Sequence, residues 1–190
     1  MNIAGGTHHA YTDRGEGFCI FNDQAVAARY LLRNQLVKKI LIVDLDVHQG
    51  NGTAEIFTNE QAVFTFSMHG AGNYPFKKEK SDLDVALPDG TGDDDYLKKL
   101  KEILPQLLDV VQPDFVFYLS GVDILETDKL GRLSCSLAGC KERDRFVLER
   151  LKAYGAPVQV SMGGGYSPNI KTIIEAHANT FRLAQALFFH

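Results

Sequence analysis

The chain has 190 residues, 45% hydrophobic and 23% charged, the balance of one folded domain with a single sizeable core. Its formal charge of -4, with lysines and arginines scattered along it, offers no basic patch to neutralise a phosphate backbone and argues against direct nucleic-acid binding. The three cysteines, Cys19, Cys135 and Cys140, lack the spacing of a disulfide framework or a C-x-x-C site, and neither a secretory leader nor a bilayer-length apolar run is present, so a cytoplasmic protein with no membrane partner is expected.

In chain order, the Gly-rich segment AGGTHHA places His8 beside His9, and a helix is predicted over residues 22–35. A strand follows at 39–45 (KILIVDL) and another at 63–67 (VFTFS). A helix is predicted over 93–111, where Asp93, Asp94 and Asp95 suit the positive end of the dipole and Pro105 should kink or interrupt the run. A strand at 115–120 (FVFYLS), a helix at 136–154 with Ser136 as N-cap, a strand at 157–162 (PVQVSM) and a helix at 169–188 complete the chain. On the last helix the stripe Ile170, Ile173, Ile174, Phe181 and Leu183 reads as core packing.

The strands are short, β-branched and almost continuously apolar, as in a parallel sheet buried on both faces. Strand and helix alternate, which predicts an α/β fold, a mainly parallel β-sheet flanked by helices. With no repeat or linker, residues 1–190 read as a single domain.

Unusual polar residues sit at or just after the carboxyl ends of these strands, the edge where open α/β sheets place ligands. DLDVHQGNG contributes Asp44, Asp46 and His48, alternate residues that project the same way from an extended chain. Asp123 follows FVFYLS, and Tyr166 follows PVQVSM after Gly163, Gly164 and Gly165. Asp46, His48 and Asp123 make a three-ligand O, N, O set with open positions, the pattern of catalytic zinc, which activates water and polarises a carbonyl. His8 and His9 suit proton transfer near neutrality, and the Tyr166 phenol suits hydrogen bonding to an oxyanion. Each feature alone has a plainer reading as a polar turn, a capped loop or an ordinary strand end. Their ordered combination favours one reaction. His69, His177 and Cys19 are assigned structural roles, surface or core.

The order GGTHHA, DRGEGFCIFND, DLDVHQGNGTAEIF, GVDILETDKLGRLSCS and GGGY resembles the histone deacetylase family, and HQGNG with GVDILETDKLGRLS looks most like its class IV branch and bacterial relatives. The resemblance implies the arginase/deacetylase fold, one zinc ion held by Asp46, His48 and Asp123, tandem histidines at His8 and His9, and a transition-state tyrosine at Tyr166. Asp44 matches the carboxylate that orients the first histidine and borders a monovalent-cation (K+) site to which Ser67 corresponds. Gly17, Phe18, Tyr74, Leu130 and Gly164 match the lining of an acyl tunnel. The implied activity is hydrolysis of an acyl-lysine peptide or protein, or of an acylated polyamine.

Two departures stand out. Asn51 replaces the aspartate that many members set against the second histidine, as in class IV. The chain also starts almost at the tandem histidines, so an N-terminally truncated domain is expected. Competing readings are a non-catalytic or inactive acyl-amine binder and, less favoured, an arginase-like two-metal ureohydrolase.

Overall fold

A computed structural model describes residues 5–189. Five strands, β1 (Ile40–Asp44), β2 (Val63–Gly70), β3 (Leu83–Leu87), β4 (Phe115–Ser120) and β5 (Val158–Met162), form one all-parallel sheet in the order β3-β2-β1-β4-β5. Five helices cover it: α1 (Asp23–Arg33), α2 (Asn51–Phe57), α3 (Asp93–Val111), α4 (Leu137–Tyr154) and α5 (Ile170–Phe188).

The strand period of two divides the core. Leu41, Val43 and Leu45 face one side with Leu100 and Leu104 of α3, Val147 and Leu151 of α4 and Leu183 of α5. Ile40 and Ile42 face the other with Ala25 and Ala28 of α1 and Phe57 of α2. From β1 the chain builds outward through β2 and β3, then returns to place β4 on the opposite flank of β1. The order reverses between β1 and β4, and the crevice beyond their carboxyl ends is the topological switch point.

The four helices predicted from periodicity are present, three of them capped by side chains. Asn22 accepts from the Ala25 amide, Ser136 from Gly139 and Asn169 from Lys171. Ser136 Oγ also donates to Asp93 at 2.6 Å, tying the start of α4 to that of α3. Ser136→Ala is therefore expected to cost about 1–2 kcal/mol of stability in chemical denaturation; an unchanged midpoint would contradict that role.

Three findings differ from the sequence reading. Helix α3 continues through Pro105 without interruption, because its buried stripe of Tyr96, Leu100, Leu104, Leu107, Leu108 and Val111 holds it on the sheet; that burial outweighs a proline penalty of about 3 kcal/mol. Ile170 and Ile174 are exposed rather than core, since α5 turns Ala176, Leu183 and Ala184 inward and leaves this i, i+4 pair outside. Helix α2 and strand β3 are additional elements. Among the described residues, no helix is long and apolar enough to cross a membrane.

Candidate metal centre and active site

The switch-point crevice is where the unusual polar residues converge. Beyond β1 the chain turns inward, and Asp46 and His48 are almost wholly buried; Asp123, just past β4, is completely so. One ligand atom from each of Asp46, His48 and Asp123 lies within 4.8 Å of the other two. His48 Nδ1 is 3.0 Å from Asp46 Oδ1 and 3.2 Å from Asp123 Oδ2. Ligand atoms at zinc distances of ~2.0–2.1 Å on a tetrahedron stand roughly 3.3 Å apart, so the trio fits that ion.

The other carboxylate oxygens are already engaged. Asp46 Oδ2 accepts from the Gly164 amide at 2.7 Å, and Asp123 Oδ1 from the Val47 amide at 2.9 Å. Among the described residues, Asp123 Oδ2 is the one carboxylate oxygen buried without a hydrogen-bond partner, an oxygen with lone pairs that a cation could take up. A Cβ on Gly164 would lie 1.8 Å from that oxygen, which is why the segment before Tyr166 contains no side chain there.

His8 and His9 lie above the trio with ring centroids 4.1 Å apart. His8 Nδ1 donates to Asp44 Oδ2 at 2.7 Å, and His9 Nδ1 donates to Asn51 Oδ1 at 2.6 Å. Gly17 adopts φ +52°, and a Cβ there would strike the His9 ring at 2.5 Å, so glycine lets this loop close over the second histidine.

The partners set opposite protonation states. Burial disfavours the His8 imidazolium, but Asp44 and Asp46 outweigh it and raise the pKa to about 9. Burial and the adjacent His8 charge push His9 down to about 3. Tyr166 is pushed up to about 12 by burial and by Asp46 and Asp123, so its hydroxyl remains a donor. Burial and then the Asp46 charge raise Asp123 to about 7. Burial opposes the His48 imidazolium, but the adjacent Asp123 and Asp46 carboxylates lift its pKa to about 10.

A metal must displace those ligand protons. Zinc affinity is therefore expected to climb with pH, by about tenfold per unit from about 7 towards about 10, where His48 alone still holds a proton, and more steeply below about 7, where Asp123 holds one too. Competition with a chelator across that range measures it, and a flat profile would contradict the assignment.

A cavity of about 660 Å³ opens above the trio and is lined by His8, His9, Tyr166, Gly17, Phe18, Tyr74, Leu130 and Gly164 together with Phe76. Phe18 and Phe76, 89% and 87% exposed, stand at its rim. Asp44, Ser67 and Asn51 lie behind the cavity wall. Ser67 is the register partner of Asp44 across β1 and β2, and its hydroxyl meets His69 Nδ1 at 2.9 Å. His69, His177 and Cys19 are buried. Sequence reading missed Glu16 and Tyr11, which hold Asn51 from behind; both sit in a polar loop with no periodic signal.

Known proteins resemble this chain over most of its length. The histone deacetylase domain matches residues 1–181. An uncharacterized protein of Picosynechococcus sp. is 49% identical over 187 residues, 98% of this chain and 62% of that protein. Histone deacetylase 2 of Arabidopsis thaliana is 34% identical over 177 residues, 92% of this chain and 46% of that one. The crystal structure of an acetylpolyamine aminohydrolase from Burkholderia pseudomallei superposes with a TM-score of 0.80 at 23% identity, over 96% of this chain and 54% of the other, a likeness of fold. The chain thus spans roughly half to three-fifths of the length of these proteins.

Proposed function

The chain belongs to the histone deacetylase family, and from that premise we propose that it hydrolyses acyl amides, releasing a carboxylate and a free amine from an acyl-lysine side chain or an acylated polyamine, with one zinc ion per chain. The observation that carries this reading is the convergence of Asp46, His48 and Asp123, with one orphaned carboxylate oxygen, beneath the paired rings of His8 and His9.

Asp46, His48 and Asp123 would hold the zinc ion, which would supply Lewis-acid polarisation of the acyl carbonyl and acidify water. The protein groups do the rest. His9, neutral and donating through Nδ1 to Asn51, turns Nε2 toward the cavity as a proton acceptor. His8, kept positive by Asp44, offsets negative charge developing beside it and is placed to protonate the leaving amine. Tyr166 donates its hydroxyl to the oxyanion. The aromatic rim at Phe18, Tyr74 and Phe76 suits the apolar stem of the substrate, and the polar floor at Asp46, His48 and Asp123 receives its amide. Asp44 and Ser67, side by side in the sheet, are the residues proposed to border a structural K+. The free cysteines Cys19, Cys135 and Cys140 suit a reducing, cytoplasmic setting, and residues 1–190 are read as one partial catalytic domain.

An acyl-length series on fluorogenic acyl-lysine peptides and acylated polyamines, at fixed zinc content, tests the proposal. The wild type is expected to release product, and His9→Ala and Tyr166→Phe to lower kcat by about 10²-fold or more. Zinc binding without release on any substrate would favour a non-catalytic acyl-amine binder.

A further inference from the structure

Asn51 is an ambiguous partner for a catalytic histidine. A carboxylate accepts on either oxygen, but an amide has one accepting and one donating end, and a flip would reverse what the histidine must do. With Oδ1 toward His9, the ring must carry its proton on Nδ1, and Nε2 is bare and able to take a proton. With the amide flipped, Nδ2 would donate to Nδ1, the proton would move to Nε2, and His9 would face the cavity as a donor.

The surroundings of Asn51 remove the ambiguity. Asn51 Nδ2 donates to Glu16 Oε1 at 3.0 Å and to Tyr11 Oη at 3.0 Å. The Tyr11 hydroxyl spends its own proton on Glu79 Oε1 at 3.2 Å, so it accepts from the amide. The Tyr74 hydroxyl donates to the same Glu16 oxygen, and Arg14 Nε stands 3.4 Å from Glu16 Oε2. Every donor in this chain points the same way, and an ionised Glu16 can only accept. Turning the Asn51 oxygen toward that carboxylate would set acceptor against acceptor beside a fully buried amide.

We propose that Glu16 is a positioning residue that locks the Asn51 amide, and through it holds His9 in the Nδ1–H tautomer that the hydrolysis requires. Glu16 and Asn51 form a matched pair, one carboxylate and one amide, in which the negative charge stands one residue further from the imidazole than it would in a direct carboxylate–histidine contact. The proposal rests on the proposed hydrolysis for its catalytic consequence, but not for the tautomer itself. Glu16 also touches Tyr74 at the cavity wall, so the test must separate positioning from shape.

The experiment combines Glu16→Gln, Asn51→Asp and the double variant with 15N spectra of labelled histidines in the zinc-loaded protein. In the wild type the His9 ring is expected to show a protonated Nδ1 and a bare Nε2. Glu16→Gln lets the facing amide accept or donate, frees Asn51 to flip, and is expected to raise the Nε2–H form and lower kcat about tenfold with KM little changed. Asn51→Asp places two carboxylates face to face and is expected to lose a similar factor. The double variant exchanges the two roles: the amide now at position 16 donates to the carboxylate now at position 51, which accepts on both oxygens, and kcat is expected to return to within a few-fold of wild type. A wild type with Nε2 protonated, an unchanged His9 tautomer in Glu16→Gln, or losses that simply multiply in the double variant would overturn the proposal. If the wild type hydrolyses none of the acyl amides, the proposed function fails, while the spectra still decide the tautomer.

Discussion

Asp123→Asn is expected to weaken zinc binding by well over 10²-fold and to reduce hydrolysis to background while leaving the fold intact. The asparagine oxygen can keep the Val47 amide bond of Oδ1, but its NH2 then occupies the position of Oδ2, the carboxylate oxygen left without a hydrogen-bond partner. A donor replaces an anionic ligand at the point where the three donor atoms converge, a larger change than the loss of an outer hydrogen bond, which itself costs about 10–100-fold. Stability should move differently. Burial and Asp46 hold the Asp123 pKa at about 7, above its ordinary value of 3.8, so the folded state takes up the proton more readily than the unfolded chain. Asp123 therefore lowers stability progressively as pH rises from about 4 through about 7, and a neutral asparagine does not. Above about pH 7 the metal-free variant should melt no lower than the metal-free wild type, and added zinc should raise the melting temperature of the wild type only. Chelator competition and thermal melts with and without zinc check both halves. A variant that binds zinc like the wild type would remove Asp123 from the ligand set.

Arg143→Ala is expected to destabilise the fold by about 3–5 kcal/mol, the range for stripping one partner from a buried ion pair. Arg143 and Asp144 are both completely buried. Arg143 Nε donates to Asp144 Oδ1 at 2.8 Å, and its Nη1 donates to the carbonyls of Leu45 at 3.2 Å and Gly121 at 2.6 Å. Asp144 also accepts from Tyr118 and Thr180, both at 2.5 Å. Alanine leaves a buried carboxylate without its cation and two strand-end carbonyls without a donor. Those carbonyls belong to the residue before Asp46 and to the loop leading into Asp123, so zinc affinity should fall as well, by about 10–100-fold. Chemical denaturation and zinc titration measure the two effects. A loss below about 1 kcal/mol would show that the pair is dispensable. Arg143→Met combined with Asp144→Leu should be less damaging than Arg143→Ala alone, because it removes both charges together.

Periodicity revealed the four longest helices and the four strands around the switch point, because each buries a continuous stripe or a whole apolar run. What it missed has physical reasons. Strand β3 is half-exposed at the sheet edge and carries Asp84 within LDVAL, so no apolar run marks it. Helix α2 is seven residues long and opens on Asn51 and Gly52, poor helix formers held by the loop that carries the site. Ile170 and Ile174 sat on a helix-period stripe, but the stripe that α5 buries is rotated toward Ala176, Leu183 and Ala184. The nearness of Asp46, His48 and Asp123 follows from their place just past β1 and β4 at the switch point, although all three stand in turns beyond the strands rather than on the extended chain that the alternation in DLDVH suggested. The Glu16 and Tyr11 support for Asn51 depends on contacts across 35 and 40 residues of chain and left no local trace. Arg143 and Asp144 did leave one. They fall three and four residues after Cys140 and three or four before Val147, on the face of α4 that the core buries, where a charge demands a partner.

Diffraction data collected at the zinc absorption edge from crystals of the zinc-loaded protein test the central claim most directly. A single anomalous peak is expected within about 2.0–2.2 Å of Asp46, His48 Nδ1 and Asp123 Oδ2. A peak elsewhere, or two peaks about 4 Å apart, would contradict a one-zinc centre built from these three side chains.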